Sequence, residues 1–289
     1  MDIVICVALK DCYFLNKNLF FINKNLEHNN LYIITDKRNF KHIKIEKYPS
    51  IKLLDENLLI DGLSLSATKK IVDKYLSNRN YGWYFQQFLK LGFALSKYAK
   101  EDYLVWDADT VPLNPIKFIN ENNQHLILTK KEHHKPYFNT IDNLFEAKKK
   151  APYSFISEHM VFKTEIVREM INKIESKSNR IWYEQCIAAR KDDVIQVFSE
   201  FETYGTYCLN YYPQLHCQRI FPTFRLGSKI FGIIASKKEI ESLKFDLDTV
   251  SFEINNYPVS FNRRCIQRVL HLIYKLIMKG RIYIPNFPL

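Results

Sequence analysis

No apolar stretch in this 289-residue chain approaches the roughly 18–20 residues that a membrane-spanning helix needs, so it is not expected to sit in a bilayer as an integral protein. There is no Cys-x-x-Cys pair either. Cys6, Cys12, Cys186, Cys208, Cys217 and Cys265 are scattered, which argues against a zinc cluster or a disulfide framework. With no cleavable apolar leader, the expected setting is a reducing cytoplasm. Helix-turn-helix and RNP-like patterns, internal repeats and low-complexity linkers are also missing. What is present is a core-forming composition, 47% apolar and 15% aromatic, which excludes disorder for most of the chain. A formal charge of +11 then calls for anionic company: phosphate-bearing ligands, nucleic acid or lipid head groups. Nucleic acid is disfavoured, because the basic residues are dispersed everywhere except in the tail.

The opening run "DIVICVAL" is continuously apolar and β-branched, the pattern of a buried parallel strand. A helix is expected from about Leu15 to Leu26, followed by a second buried strand, "LYIITD", that ends at Asp36. Strand, helix, strand opens an α/β sheet. "KIEKY" reads as a further strand, and a helix is expected near Ser66 to Leu76. Tyr84, Phe88, Leu91, Leu95 and Tyr98 recur at helical spacing, which predicts a helix of about five turns running into the strand "DYLVWDAD". Further on, "HLILT" and "SFISEHMVFKT" read as strands, "EIVREMINKIES" as an amphipathic helix opened by Thr164, and "WYEQCIAARK" as another helix. Residues 1–258 are expected to form one domain. Residues 259–289 are expected to form a basic amphipathic helix, whose apolar face could lie on a membrane surface or pack on its own domain.

Asp107 and Asp109 end the central strand, where open α/β sheets bind their ligands. Two carboxylates at i and i+2 can share one hard cation and leave room for a ligand's oxygens. A divalent ion held this way neutralises a diphosphate and improves a nucleoside diphosphate as a leaving group.

"QQFLKLGFAL" and "DYLVWDADTVPL" resemble the helix, strand and Asp-x-Asp segment of metal-dependent nucleotide-sugar glycosyltransferases of GT-A fold. The likeness is greatest to an uncharacterised bacterial family often encoded with surface-polysaccharide genes. It covers roughly residues 1–225, and "YGWYFQQ", "WDADT", "SEHMVF" and "SEFETYG" are its specific pieces. The resemblance implies a Rossmann-like, mixed and mostly parallel sheet flanked by helices. It also implies Mn2+ or Mg2+ on Asp107 and Asp109, and a nucleotide-sugar donor, UDP-linked by default. By the same carry-over Asp36 contacts base or ribose, Lys90 reaches the diphosphate, and His216 is a third metal ligand unless it is an ordinary core histidine. Arg219 and Arg225 could clamp phosphate.

Transfer also needs a carboxylate or imidazole near the acceptor or the leaving group. Glu158 and His159 interrupt an apolar strand, and Glu200 and Glu202 lie among aromatics, although Ser199 capping a helix with Glu202 at the box position explains one of them structurally. Gln86 and Gln87 are adjacent amides that want partners such as sugar hydroxyls, whereas Phe85 and Phe88 read as core and Trp83 and Tyr84 as the border of the sugar site. The expected enzyme is a cytoplasmic glycosyltransferase acting on a lipopolysaccharide or capsule-type glycan at the inner membrane face. Its rivals are a metal-dependent phosphatase and a non-catalytic membrane-peripheral scaffold. The phosphatase reading suffers because the aspartates fall about a hundred residues into the chain, well past a first strand. Deleting the chain from Asn262 onward is expected to leave the domain folded and active on a soluble acceptor; loss of the cooperative melting transition would assign the helix to the core.

Overall fold

"DIVIC" is a strand with every residue buried, as its unbroken apolar character dictates: β1 (Asp2–Cys6). The computed structural model describes residues 1–77, 80–232 and 235–253 together with Cys265 and Val269. After β1 come α1 (Cys12–Asn25), β2 (Leu31–Thr35), β3 (Ile51–Asp55), α2 (Leu65–Tyr75), α3 (Tyr81–Gly92), β4 (Asp102–Trp106), β5 (Thr110–Pro112) and β6 (His125–Leu128). Next are α4 (Lys135–Phe145), β7 (His159–Lys163), α5 (Thr164–Ser176), α6 (Trp182–Ala188), α7 (Glu200–Tyr211), β8 (His216–Arg219), β9 (Thr223–Phe224), α8 (Gly227–Phe231), α9 (Lys237–Ser242) and β10 (Thr249–Ser251). The central sheet has the order β3-β2-β1-β4-β7, with β7 alone antiparallel to its neighbour, β4. Two small sheets, β5-β10-β9 and β6-β8, flank it. This is the mixed, mostly parallel α/β architecture expected.

The central sheet separates two cores, and its side chains alternate between them with the strand period of two. Val4 and Cys6 of β1, with Tyr103 and Val105 of β4, join the larger cluster under α2 to α7. Ile3, Ile5, Leu104 and Trp106 join the cluster under α1. A third cluster packs Phe14 and Phe21 of α1 against Val111, Val250 and Phe252.

Several local expectations change. "KIEKY" is turn and coil, and the third strand is "IKLLD", which pairs with β2 in register from Leu31↔Ile51 to Thr35↔Asp55. Both segments alternate, but Pro49 has no N–H for a ladder, so the strand begins beyond it. The predicted five-turn helix stops at Gly92 with a 3-10 turn over Phe93–Leu95. There the Tyr103 hydroxyl donates to the carbonyls of Lys90 and Leu91, taking up acceptors that a further turn would use. Of "SFISEHMVFKT" only His159–Lys163 is strand, and α5 starts at Thr164 without a side-chain cap. Tyr84 is core, not border: fully buried, its hydroxyl donates to the Ile195 carbonyl and accepts from the Val197 N–H. The predicted C-terminal helix lies outside the described residues but for Cys265 and Val269.

Gly205, in the middle of α7, marks a close approach: a Cβ there would sit 2.2 Å from Cγ of Phe155, in the segment leading to Glu158. Helix propensity favours alanine over glycine, yet Gly205→Ala is expected to destabilise the fold by about 1–3 kcal/mol through overpacking. Chemical denaturation checks this; a stabilised variant would show that the contact yields easily.

Candidate functional site

β1, β2 and β3 step outward in one direction, and β4 then returns to the other side of β1. The order reverses between β1 and β4, and in open α/β sheets the crevice beyond the carboxyl ends at such a point is where ligands bind. Asp107 follows β4 directly. Continuing the alternation of Tyr103, Val105 and then Asp107, it falls on the side covered by α3 and α7. There the Lys90 ammonium donates to Asp107 Oδ1 at 2.7 Å and to Glu200 Oε1 at 2.7 Å. Across the ladder, Trp106 pairs with His159, which sets Glu158 beside Asp107; the Asp107 N–H donates to the Glu158 carbonyl at 3.0 Å.

Glu158 is buried between two cations, Lys130 and Arg225, the latter at 3.0 Å. Arg225 also reaches Glu253 at 3.1 Å and Glu132 at 3.3 Å. Burial lowers the Lys130 ammonium's pKa despite Glu158. Asp109 shows the opposite stress: burial first, then the charges of Asp107, Glu253 and Asp11, push its carboxyl up to about 8. In this cluster six carboxylates (Asp107, Asp109, Glu132, Glu158, Glu200 and Glu253) face three cations among the described residues, Lys90, Lys130 and Arg225.

Hard oxygen donors in excess of positive charge suit Mg2+ or Mn2+. Among the described residues no group of three His, Cys, Asp or Glu side chains could hold an ion by itself. A cation held by Asp107 and Asp109 would therefore complete its shell with phosphate oxygens and water, as magnesium commonly does.

The Asp107–Thr110 turn is fixed from several sides. The buried Asn18 amide of α1 donates to the carbonyls of Ala108 (3.1 Å) and Thr110 (2.7 Å), and the Trp106 indole donates to the same Thr110 carbonyl at 2.7 Å. Phe252 N–H donates to the Asp109 carbonyl at 2.8 Å, and the hydroxyls of Thr110 and Ser251 bond at 2.8 Å. Asn18, Lys130, Glu132 and Glu253 were absent from the residues expected of the site. Only Asn18 left a signal, as a polar side chain on the apolar face of a helix.

Other expected residues are placed differently. His159 neighbours Glu158 and so points to the opposite face, where its ring stacks on Trp106 at 4.7 Å between Phe118 and Phe221. Burial, then Arg219 and Lys130, hold its pKa down to about 3, leaving it neutral. His216 is opposite His125, whose Nε2 lies 3.5 Å from Asp102 at the beginning of β4. Five strand residues, about 16 Å, separate Asp102 from Asp107, so His216 is not brought to the aspartate pair. Arg219 donates to the Lys117 carbonyl and stacks over Phe221, and Arg225 is occupied by carboxylates. Asp36, at the end of β2, caps the following turn and is held by Arg38, whose hydrogen bonds bring its pKa down to about 2. Gln87 spends its amide on the Trp83 carbonyl and the Glu200 N–H, while Gln86 beside it is half-buried. Glu202 accepts from Ser154, Phe155 N–H and Thr206, and its own N–H donates to Ser199, the helix cap.

The sequence matches the family of unknown function DUF6492 over residues 8–224, and the chain belongs to that family. No curated protein matches it by sequence. In three dimensions it is similar to the galactosyltransferase LgtC in complex with donor and acceptor sugar analogues (TM-score 0.52, 10% identity, covering 99% of this chain and 98% of that one). It is likewise similar to an active-site mutant of LgtC (TM-score 0.53, 12% identity, 93% and 96% covered). These likenesses establish the GT-A fold.

The crowding of Asp109 makes the metal-free protein sensitive to pH. Unfolded, this carboxyl ionises near 3.8; folded, it holds its proton up to about 8. Its contribution to stability is thus whole below pH 3.8 and is lost as pH rises from there through 8. Asp109→Asn is expected to melt increasingly above wild type between about pH 4 and pH 8 in chelator, with the gap widest at the upper end. Parallel melting curves would show that Asp109 is not crowded.

Proposed function

We propose that this DUF6492 member is a metal-dependent glycosyltransferase that moves a sugar from a nucleotide-diphosphate donor to a glycan or glycolipid acceptor. The observation that carries the reading is the Asp107–Asp109 pair at the reversal point of a GT-A sheet, embedded in a cluster with twice as many carboxylates as cations. Such a cluster is unfavourable on its own and is completed by a divalent cation and the ligand that accompanies it.

Asp107 and Asp109 would hold the cation, which supplies charge neutralisation at the diphosphate leaving group. Lys90, Gln87 and Asn18 keep the pair in place from behind. Glu158 is the carboxylate set beside Asp107, and we assign it the contact to the reacting hydroxyls, with Lys130 and Arg225 keeping it anchored. Glu200 and Glu202 support the site through α3 and the 154–155 segment, and His159 supports it by stacking on Trp106. Gln86 and the turn after Asp36 are assigned to the sugar and base sides of the donor. LgtC was captured with donor and acceptor sugar analogues, and by that likeness we assign a saccharide acceptor to the same crevice here. A surface-polysaccharide acceptor, Mn2+ or Mg2+ as the ion and an anionic membrane face under the basic tail complete the proposal; no helix among the described residues is long and apolar enough to cross a membrane.

The test is a thermal-shift panel of wild type and Asp109→Asn against UDP, GDP, CMP and dTDP, each with Mn2+ and with chelator. One nucleotide is expected to raise the melting temperature of wild type only with Mn2+, and the variant is expected to lose that response. A panel without any nucleotide response would overturn the assignment.

A further inference from the structure

We infer that Lys90 is the resident counter-cation of the aspartate pair, and that its competition for Asp107 makes cation capture depend on the diphosphate that arrives with it. The inference rests on the function proposed above and deepens it, since the resemblance to nucleotide-sugar enzymes had put this lysine on the diphosphate itself.

The Lys90 side chain is only 5% exposed. Its ammonium is enclosed by Asp107 Oδ1 and Glu200 Oε1, each at 2.7 Å, and by the Phe201 ring, whose centroid is 4.7 Å away. The arrangement is rigid from both ends. Tyr103 holds the Lys90 carbonyl at 3.0 Å, and one turn earlier Gln87 accepts the Glu200 N–H at 3.1 Å, so α3 grips both the backbone and the carboxylate at the start of α7. To touch a diphosphate in the crevice, the ammonium would have to abandon the part-exposed Asp107 and leave the Glu200 carboxylate buried without its charge partner, and breaking a buried pair in this way is strongly unfavourable. What it does where it stands is occupy one oxygen of Asp107 and set a positive charge next to any incoming dication. At separations of about 5 Å in a protein's effective dielectric, that repulsion changes affinity tenfold or more. A diphosphate brings the negative charge that offsets it, so metal and nucleotide should each strengthen the other's binding, by the same factor in both directions. Lys90 is thus a positioning residue.

The experiment is calorimetric titration of the full-length protein with Mn2+, without and with UDP, for wild type, Lys90→Met, Glu200→Gln, and the double variant Lys90→Met/Glu200→Gln. The double variant removes one charge of each sign, so it leaves no buried carboxylate abandoned should the single variant fold poorly. Lys90→Met is expected to bind Mn2+ alone at least ~10-fold more tightly than wild type; the double variant, which also loses the attraction of Glu200, is expected to gain less but still to bind more tightly than Glu200→Gln alone, and in both the gain in Mn2+ affinity conferred by UDP should shrink. Unchanged or weaker Mn2+ binding with loss of UDP binding would overturn the inference and return Lys90 to the diphosphate. If neither wild type nor variants take up Mn2+ under any condition, the metal-dependent reading of the site falls and the inference with it.

Discussion

A buried ammonium shared between two carboxylates is the contact on which the rest of this site depends. Lys90, Asp107 and Glu200 belong to α3, to the end of β4 and to the start of α7, so one three-way ion pair fixes the mutual placement of two helices and the central sheet. Taking the charges of Lys90 and Glu200 out of water is unfavourable unless geometry is good and the remaining valences are filled. Here the geometry is short on both arms, and neighbouring polar groups serve the backbone around it: Tyr103 at the Lys90 carbonyl, Gln87 at the Glu200 N–H. The surplus of negative charge around the cluster is felt by Asp109, whose carboxyl holds its proton up to about 8 and has no cationic partner among the described residues. A cluster that would be a fault in an ordinary core makes sense as one side of a binding reaction.

Much of the fold was legible because it depends on local pattern. β1 and β2 are uninterrupted apolar runs, α5 is strongly amphipathic, and the aspartates follow a strand whose character is unmistakable. Where the reading failed, two local patterns were equally good and a distant partner chose between them. "KIEKY" and "IKLLD" both alternate, but the register with β2 and the placement of Pro49 select the second. The helix through "YGWYFQQFLKLG" keeps an apolar stripe past Gly92, and only a tyrosine about ten residues beyond decides where it stops.

The site was legible in its carboxylates and less so in their partners. Glu158 and His159 were read as one unit, although the period of a strand sends neighbours to opposite faces; applying that rule separates an ion-paired glutamate from a ring in the core. Arginine geometry suits phosphate and carboxylate alike, so nothing within "PTFRLG" distinguishes a phosphate clamp from the centre of three glutamates. His216 looked like a ligand because of its place late in the chain. The β6-β8 ladder carries it instead to the other end of β4, beside His125.

The turn that presents the aspartates is held by Asn18 near one end of the chain and by Ser251 and Phe252 near the other. A domain generally folds as a unit, and this turn takes its final shape only when a partner 92 residues before Thr110 and another 141 residues after it are both in place. Presentation of the aspartate pair is thus a property of the whole domain and not of the β4 segment that carries it.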